Sequence, residues 1–203
     1  MRRNRFRPVK IGFLGGSFDP LHNGHMLVAQ DAYEQMQLDR LIFVPAAQAP
    51  LKPKESRANA EERLGMLSAV VSSDPRFDVS DFEVRRGGVS YTIDSARHFH
   101  DLYPNDSLFW VIGADQLVNL HLWKDIQQLA RLVSFICLDR PGVPGAKVPL
   151  VPGLRVLRCE GHLISVSSTE LRARARDGLS LDYFVPQKAI DYIRNRGLYR
   201  DAT

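Results

Sequence analysis

Residues 9–25, Val9-Lys-Ile-Gly-Phe-Leu-Gly-Gly-Ser-Phe-Asp-Pro-Leu-His-Asn-Gly-His25 (VKIGFLGGSFDPLHNGH), join a short apolar run to a cluster of helix-averse residues. Val9 to Leu14 reads as a buried strand, and Gly15-Gly16 closes it with a tight turn. Glycines at that point let backbone N–H groups approach an anion, because no side chain intervenes and positive φ is open to them. A plain turn is the alternative. From Gly24 the pattern becomes helical, with Met26, Ala29, Ala32, Tyr33 and Met36 on one face. His22 and His25 then share the first turn of that helix, where imidazoles, unpaired N–H groups and the helix dipole together favour phosphate. A helix-capping histidine or a metal pair is the competing reading. The metal would need a third ligand, for which Asp19 is the only nearby candidate.

The alternation of apolar run and amphipathic helix continues outward from this segment. Further strands are expected at Arg40–Ala46, Phe77–Val84, Leu108–Ile112, Leu132–Leu138 and Leu154–Glu160. Asn59 and Glu62 have capping-box spacing ahead of a stripe of Leu64, Leu67 and Val71. Thr92 is placed to cap a helix carrying Ile93, Ala96, Phe99 and Tyr103, which Pro104 ends. Continuously apolar strands separated by such helices predict an α/β class: a doubly wound, mostly parallel sheet covered on both faces. Ligands in such sheets sit beyond the carboxyl ends of the strands. Arg140–Gly153, with four prolines and three glycines, reads as an irregular surface loop.

Of the 203 residues, 44% are hydrophobic and 25% charged, the composition of a globular chain of one domain. The net charge of +4 resides in the start, where Arg2, Arg3, Arg5, Arg7 and Lys10 face no acid. Setting those five aside leaves 22 of the 27 basic residues against 23 acidic ones. Residues 1–8 are therefore expected to be a frayed basic tail, and 9–203 a single domain with a small C-terminal helical part from about residue 167. No aromatic-interleaved basic stripe suggests a nucleic-acid polymer. Val9–Leu14 is too short for a secretory signal and Leu108–Ala114 too short to span a membrane, which makes the cytoplasm the expected location. Cys137 and Cys159 form no CxxC pair and read as small buried hydrophobes.

A second anion-ready segment lies near the C-terminus, at Ser165-Val-Ser-Ser-Thr-Glu-Leu-Arg172. Ser167 and Glu170 have capping-box spacing, the helix they open runs to Gly178, and Arg172 about one turn in can fold a bidentate guanidinium onto phosphate. A solvated basic helix, with Arg174 and Arg176, is the alternative.

GGSFDPLHNGH resembles the nucleotide-binding signature of the HxGH nucleotidyltransferases, more specifically that of bacterial nicotinate-nucleotide adenylyltransferases, and SVSSTELR is similar to their ISSTxxR motif. Gly88-Val-Ser-Tyr91-Thr92 resembles their GxSYT segment, Ile112-Gly113-Ala114-Asp115 their IGAD segment, and Leu120–Lys124 the run holding a tryptophan that stacks on the pyridine. The resemblance implies a Rossmann-like nucleotidyltransferase fold. It implies ATP at Gly15, Gly16, Ser17, Phe18, His22, His25, Gly113, Asp115, Ser167, Ser168, Thr169 and Arg172, and the pyridine nucleotide at Ser17, Lys52, Tyr91, Thr92 and Trp123. His22, His25, Lys52 and Arg172 become the catalytic candidates. Thr92's helix end gives a physical reason for holding a carboxylate, and Trp123 suits a flat cationic ring. Leu51 stands where the family usually has histidine before the lysine. Trp110, inside LFWVIG, reads as core.

The implied reaction transfers the adenylyl group of ATP to nicotinate mononucleotide, releasing pyrophosphate, with Mg2+ carried on the ATP phosphates and no metal held by the protein. Phosphopantetheine adenylyltransferase and a nucleotide-sensing module without turnover are the rival readings. A homo-oligomer is compatible with the sequence but not legible in it.

Overall fold

Among the described residues, the computed structural model has six strands, β1 (Lys10–Gly16), β2 (Arg40–Pro45), β3 (Phe77–Val79), β4 (Ser107–Gly113), β5 (Ser134–Asp139) and β6 (Val156–Glu160). They form one sheet in the order β3-β2-β1-β4-β5-β6, with every neighbouring pair parallel. Residues 7–50, 57–139, 145–162 and 164–200 are described. Parallel neighbours require crossovers. These carry α1 (Asn23–Gln35), α2 (Ala60–Val71), α3 (Phe82–Arg86), α4 (Thr92–Leu102), α5 (Ala114–Val118) and α6 (Ile126–Leu132), while α7 (Ser168–Arg176) and α8 (Gln187–Arg196) follow the last strand. The order reverses between β1 and β4, which places the ligand crevice of a doubly wound sheet beyond Gly16 and Gly113.

The pleat divides the core in two. Leu14, Phe43 and Val111 pack against Ala29 and Ala32 of α1, Met66 and Leu67 of α2, Leu171 of α7 and Ile190 of α8. Ile11, Phe13, Trp110 and Phe135 point the other way, onto Ile93, Ala96 and Phe99 of α4 and Leu129 of α6. Both faces are covered, so the strands needed apolar residues at successive positions, and each fully buried large side chain contributes about 1.5–3 kcal/mol. Met26, Tyr33 and Met36 join Ala29 and Ala32 at this interface, as the 3.6-residue spacing of α1 requires.

Several expectations need correction. Gly15 and Gly16 are the last residues of β1 rather than a turn. The expected strand Phe77–Val84 ends at Val79, and Phe82 begins the short helix α3, because Asp81 precedes a run whose N–H groups pair within the helix. Thr92 is the first helical residue of α4 and Tyr91 its N-cap. Leu132 closes α6, so β5 starts only at Ser134. The Asn59–Glu62 capping box is complete, with bonds of 2.9 and 2.7 Å. The one at Ser167 is half made: its hydroxyl accepts from Glu170 N–H at 3.2 Å, with no return bond from the Glu170 carboxylate among the described residues. Residues 145–153 carry neither helix nor strand, and 140–144 lie outside the described residues. Cys137 and Cys159 are buried free thiols, pushed up by burial to about 11 and about 12. Among the described residues no helix is long and apolar enough to cross a membrane.

Candidate active site

The two glycines at the end of β1 are required by close approach. A Cβ on Gly15 would lie 2.9 Å from Trp110 Cζ2, and one on Gly16 3.0 Å from Phe18 Cζ. The left-handed residue of the following turn is Phe18 itself, at φ +50°. Its ring is buried edge-on between His25 and Phe43.

His22 is the N-cap of α1 and His25 its third residue, so one helical turn brings the two rings face to face at 3.7 Å. His25 Nδ1 accepts from the His22 backbone N–H at 3.2 Å. The neutral ring therefore carries its proton on Nε2, free to donate to an anion. His22 Nδ1 is buried without a hydrogen-bond partner among the described residues. Burial pushes His22 down to about 4. The same cause, followed by the charge of His22, holds His25 well below the ordinary imidazole range. Gly24 makes room for this arrangement, since a Cβ there would sit 3.0 Å from His22 Nδ1 and 3.2 Å from Ile164 Cγ2.

The buried carboxylate of Asp19, the third ligand that a metal pair would have needed, is committed elsewhere. It accepts from the N–H groups of Arg57 (2.8 Å) and Ala58 (3.1 Å) and from the Tyr199 hydroxyl (2.8 Å). Burial and the neighbouring Asp19 charge raise the Tyr199 phenol, which stays a donor.

The second motif arrives at the same turn. Arg172 Nη1 donates to the Asp19 carbonyl at 2.8 Å and lies 3.8 Å from its carboxylate, while Nη2 donates to Thr169 Oγ1 at 3.1 Å. The Ser168 hydroxyl donates to the Pro20 carbonyl at 3.0 Å. Glu160, at the end of β6, exchanges hydrogen bonds with Gln35, and His162 gives its N–H and Nδ1 to the buried Asp31 carboxylate at 3.0 and 2.7 Å. These contacts fix the chain that leads into Ser165–Thr169 to α1.

Across the switch point, Gly113 caps α5, and its N–H donates to Gln116 Oε1 at 3.1 Å. Asp115 is exposed in the first turn. The Lys124 ammonium stands 4.3 Å over the Tyr91 ring, which joins the Ser90–Thr92 segment to the residue after Trp123. Trp123 is half-buried and meets Phe135 edge-on at 6.3 Å, whereas Trp110 lies in the core against Phe13. Ser17 offers its carbonyl to Arg63, and Ser167 and Thr169 are exposed at the start of α7. Lys52 and Leu51 lie outside the described residues.

Arg63, Asp31 and Tyr199 were not singled out in the sequence. One signal was available for Arg63. It stands four residues before Leu67 in the apolar stripe of α2, so the periodicity already put its guanidinium on the buried face.

A 3-2-1-4-5-6 sheet with two helix starts meeting at its switch point defines a nucleotide-binding α/β protein of the nucleotidyltransferase class. Residues 13–174 match the cytidylyltransferase-like family. A probable nicotinate-nucleotide adenylyltransferase of Opitutus terrae is 62% identical over 192 residues, covering 95% of this chain and 98% of that protein. One of Thermus thermophilus is 42% identical over 192 residues, covering 95% and 100%. The fold is shared with a Plasmodium falciparum nicotinic acid mononucleotide adenylyltransferase solved in complex with NaAD, at a TM-score of 0.71 and 19% identity over 94% of this chain and 97% of that one. The chain belongs to the cytidylyltransferase-like family and, within it, to the nicotinate-nucleotide adenylyltransferases.

Proposed function

We propose that this chain transfers the adenylyl group of MgATP to nicotinate mononucleotide, giving nicotinate adenine dinucleotide and pyrophosphate in NAD biosynthesis. The observation that carries the reading is the contact of Arg172 and Ser168 with Asp19 and Pro20, which sets two anion-seeking helix starts side by side. An oxygen of the 5′-phosphate attacks the α-phosphorus, a new P–O bond forms, and the α–β bridging bond breaks to release pyrophosphate. The attacking phosphate is already ionised, so the barrier lies in bringing anions together and in neutralising the charge that develops.

His22, His25, Ser168, Thr169, Arg172 and the main chain from Gly15 to Phe18 hold the triphosphate in this reading, with Gly113 and Asp115 on the ATP side. Lys52 keeps its sequence-based assignment. Tyr91, Thr92 and Trp123 take the pyridine nucleotide, the helix start at Thr92 offering N–H groups to its carboxylate. Magnesium enters with ATP, held by phosphate oxygens and water. Among the described residues no three His, Cys, Asp or Glu side chains gather into a metal-binding group. Residues 9–203 act as one unit, with α7 and α8 packed on the α1 and α2 side of the sheet.

The test is product formation with MgATP and, separately, nicotinate mononucleotide, nicotinamide mononucleotide and phosphopantetheine. Dinucleotide and pyrophosphate in equal amounts from the nicotinate substrate are expected. Turnover only with phosphopantetheine, or nucleotide binding without pyrophosphate, would overturn the assignment.

A further inference from the structure

The guanidinium of Arg63 is fully buried, yet all its hydrogen bonds end on main-chain carbonyls. Nη1 donates to Ser17 at 2.7 Å, Nη2 to Ala47 at 3.1 Å and Nε to Ala58 at 3.2 Å. Burial disfavours its charge and lowers its pKa, an effect that the neighbouring Asp19 opposes. These carbonyls belong to three separate pieces of the site: the turn after β1, the segment after β2, and the approach to α2. The Ala47 peptide carries the link onward, because its N–H donates to Ser90 Oγ at 3.0 Å and Ser90 N–H donates to the Gln48 carbonyl at 2.9 Å. The buried Glu83, which the Ser95 hydroxyl bonds, stands beside Ser90. The Ala46 N–H closes the circuit on the Gly16 carbonyl at 2.9 Å. One planar cation thus ties the phosphate-side turn at Ser17 to the segment that contains Tyr91 and Thr92.

We propose that Arg63 is a positioning residue of adenylyl transfer, fixing the distance between the triphosphate turn and the Ser90–Thr92 segment so that the two phosphates meet in line. The proposal rests on the reading of those two segments as the ATP and pyridine-nucleotide sites. A guanidinium fork serves three acceptors in fixed directions, whereas an ammonium is a point donor that cannot reproduce them.

Arg63→Lys keeps the charge beside Asp19 and loses the fork. A misplacement of about 1 Å between reacting groups costs on the order of 100-fold in rate, so kcat should fall by that order. The Kd of MgATP alone and of nicotinate mononucleotide alone, read by calorimetry, should move by less than roughly 3-fold, since each half-site stays intact. Ser90→Ala cuts the relay without touching Arg63 and should show the same pattern, more weakly. Amide exchange at Ala46, Ala47 and Ser90 should quicken in both variants. A folded Arg63→Lys with wild-type kcat, or with both Kd values weakened in proportion to kcat, overturns the proposal. If Arg63→Lys does not fold, Ser90→Ala decides, and unchanged kcat there overturns it. Absence of turnover in the wild type speaks against the proposed function instead; exchange then decides for Arg63, and unaltered protection at those three amides overturns the positioning role.

Discussion

The imidazoles of His22 and His25 lie stacked at 3.7 Å in the first turn of α1, and burial keeps both neutral in the folded chain. In the unfolded chain His22 titrates near 6.5, against about 4 when folded. Between those values the unfolded state binds the extra proton, so the stability gained by burying a neutral ring is complete above pH 6.5 and is lost as pH falls toward 4. For His22 alone the loss approaches about 3 kcal/mol. Urea midpoints should therefore drop between pH 7 and pH 4.5, and a His22→Gln variant should show a shallower drop. A wild-type midpoint that stays flat through this window contradicts the burial of the pair.

A triphosphate placed beside the same rings favours their protonated forms. Binding of MgATP should then take up protons, and affinity should rise as pH is lowered from 8 to 6. Calorimetry in buffers of different ionisation enthalpy measures this uptake directly. Heats that do not depend on the buffer would remove the histidines from the phosphate site.

The glycine of the His-Asn-Gly-His run can be separated from the glycines of β1 by what each one touches. Gly24→Ala presses on His22 Nδ1 and on Ile164, both at the edge of the site. Turnover should fall at least tenfold for a displacement of a few tenths of an ångström, with little change in the melting temperature. Gly15→Ala drives a methyl into the Trp110 ring inside the core. That overpacking should cost about 1–3 kcal/mol, read as a lowered denaturant midpoint. Equal stability losses in the two variants would erase this distinction.

The parts of this molecule legible in the sequence are those governed by local period and local chemistry. The strand at Val9–Leu14, the face of α1 and the capping pair at Asn59 and Glu62 all follow from residues a few positions apart. The meeting of the His22 and Arg172 segments was implied by their shared anion chemistry, although more than a hundred residues separate them. What escaped was set by distant partners. The period of α2 puts Arg63 on the buried face, but what its guanidinium binds stays hidden until Ser17, Ala47 and Ala58 are brought around it, and Tyr199 reads as a terminal aromatic until Asp19 is placed beneath it. The short helices α5 and α6 were hidden because neither is long enough to establish a hydrophobic period. Phe77–Val84 (FDVSDFEV) was overextended because its apolar residues alternate with polar ones as in a strand, and the five-residue helix α3 is too short to impose a period of its own.

Arg172 spends its guanidinium on the Asp19 carbonyl and Thr169, so its charge is aimed at the turn after β1 before any ligand arrives. Arg172→Lys retains a positive charge but not the two-pronged donor. We expect kcat/KM for MgATP to fall roughly 10²-fold, equivalent to about 2.7 kcal/mol of transition-state stabilisation. Ser168→Ala, which removes the bond to Pro20 and the hydroxyl proposed to face the triphosphate, should cost about 1 kcal/mol of stability and a smaller loss of rate. An Arg172→Lys enzyme within threefold of wild type would mean that the guanidinium serves the fold alone.

The two tryptophans test the proposed division between site and core. Trp110 is buried and stacked on Phe13, so Trp110→Ala should cost about 3–5 kcal/mol of stability. Trp123 packs on the same core cluster, meeting Phe135 edge-on, but stays half-buried, and the proposed site uses its remaining ring surface for a pyridinium. Stacking and cation–π attraction of about 0.5–1.5 kcal/mol correspond to a rise of roughly 2- to 10-fold in KM for nicotinate mononucleotide in Trp123→Ala. The KM for MgATP should stay near wild type, because the lost contact belongs to one substrate. Steady-state kinetics with each substrate varied in turn, beside a melting curve, separates the cases. A Trp123→Ala chain that melts as early as Trp110→Ala and keeps its KM for the pyridine nucleotide would assign both rings to the core.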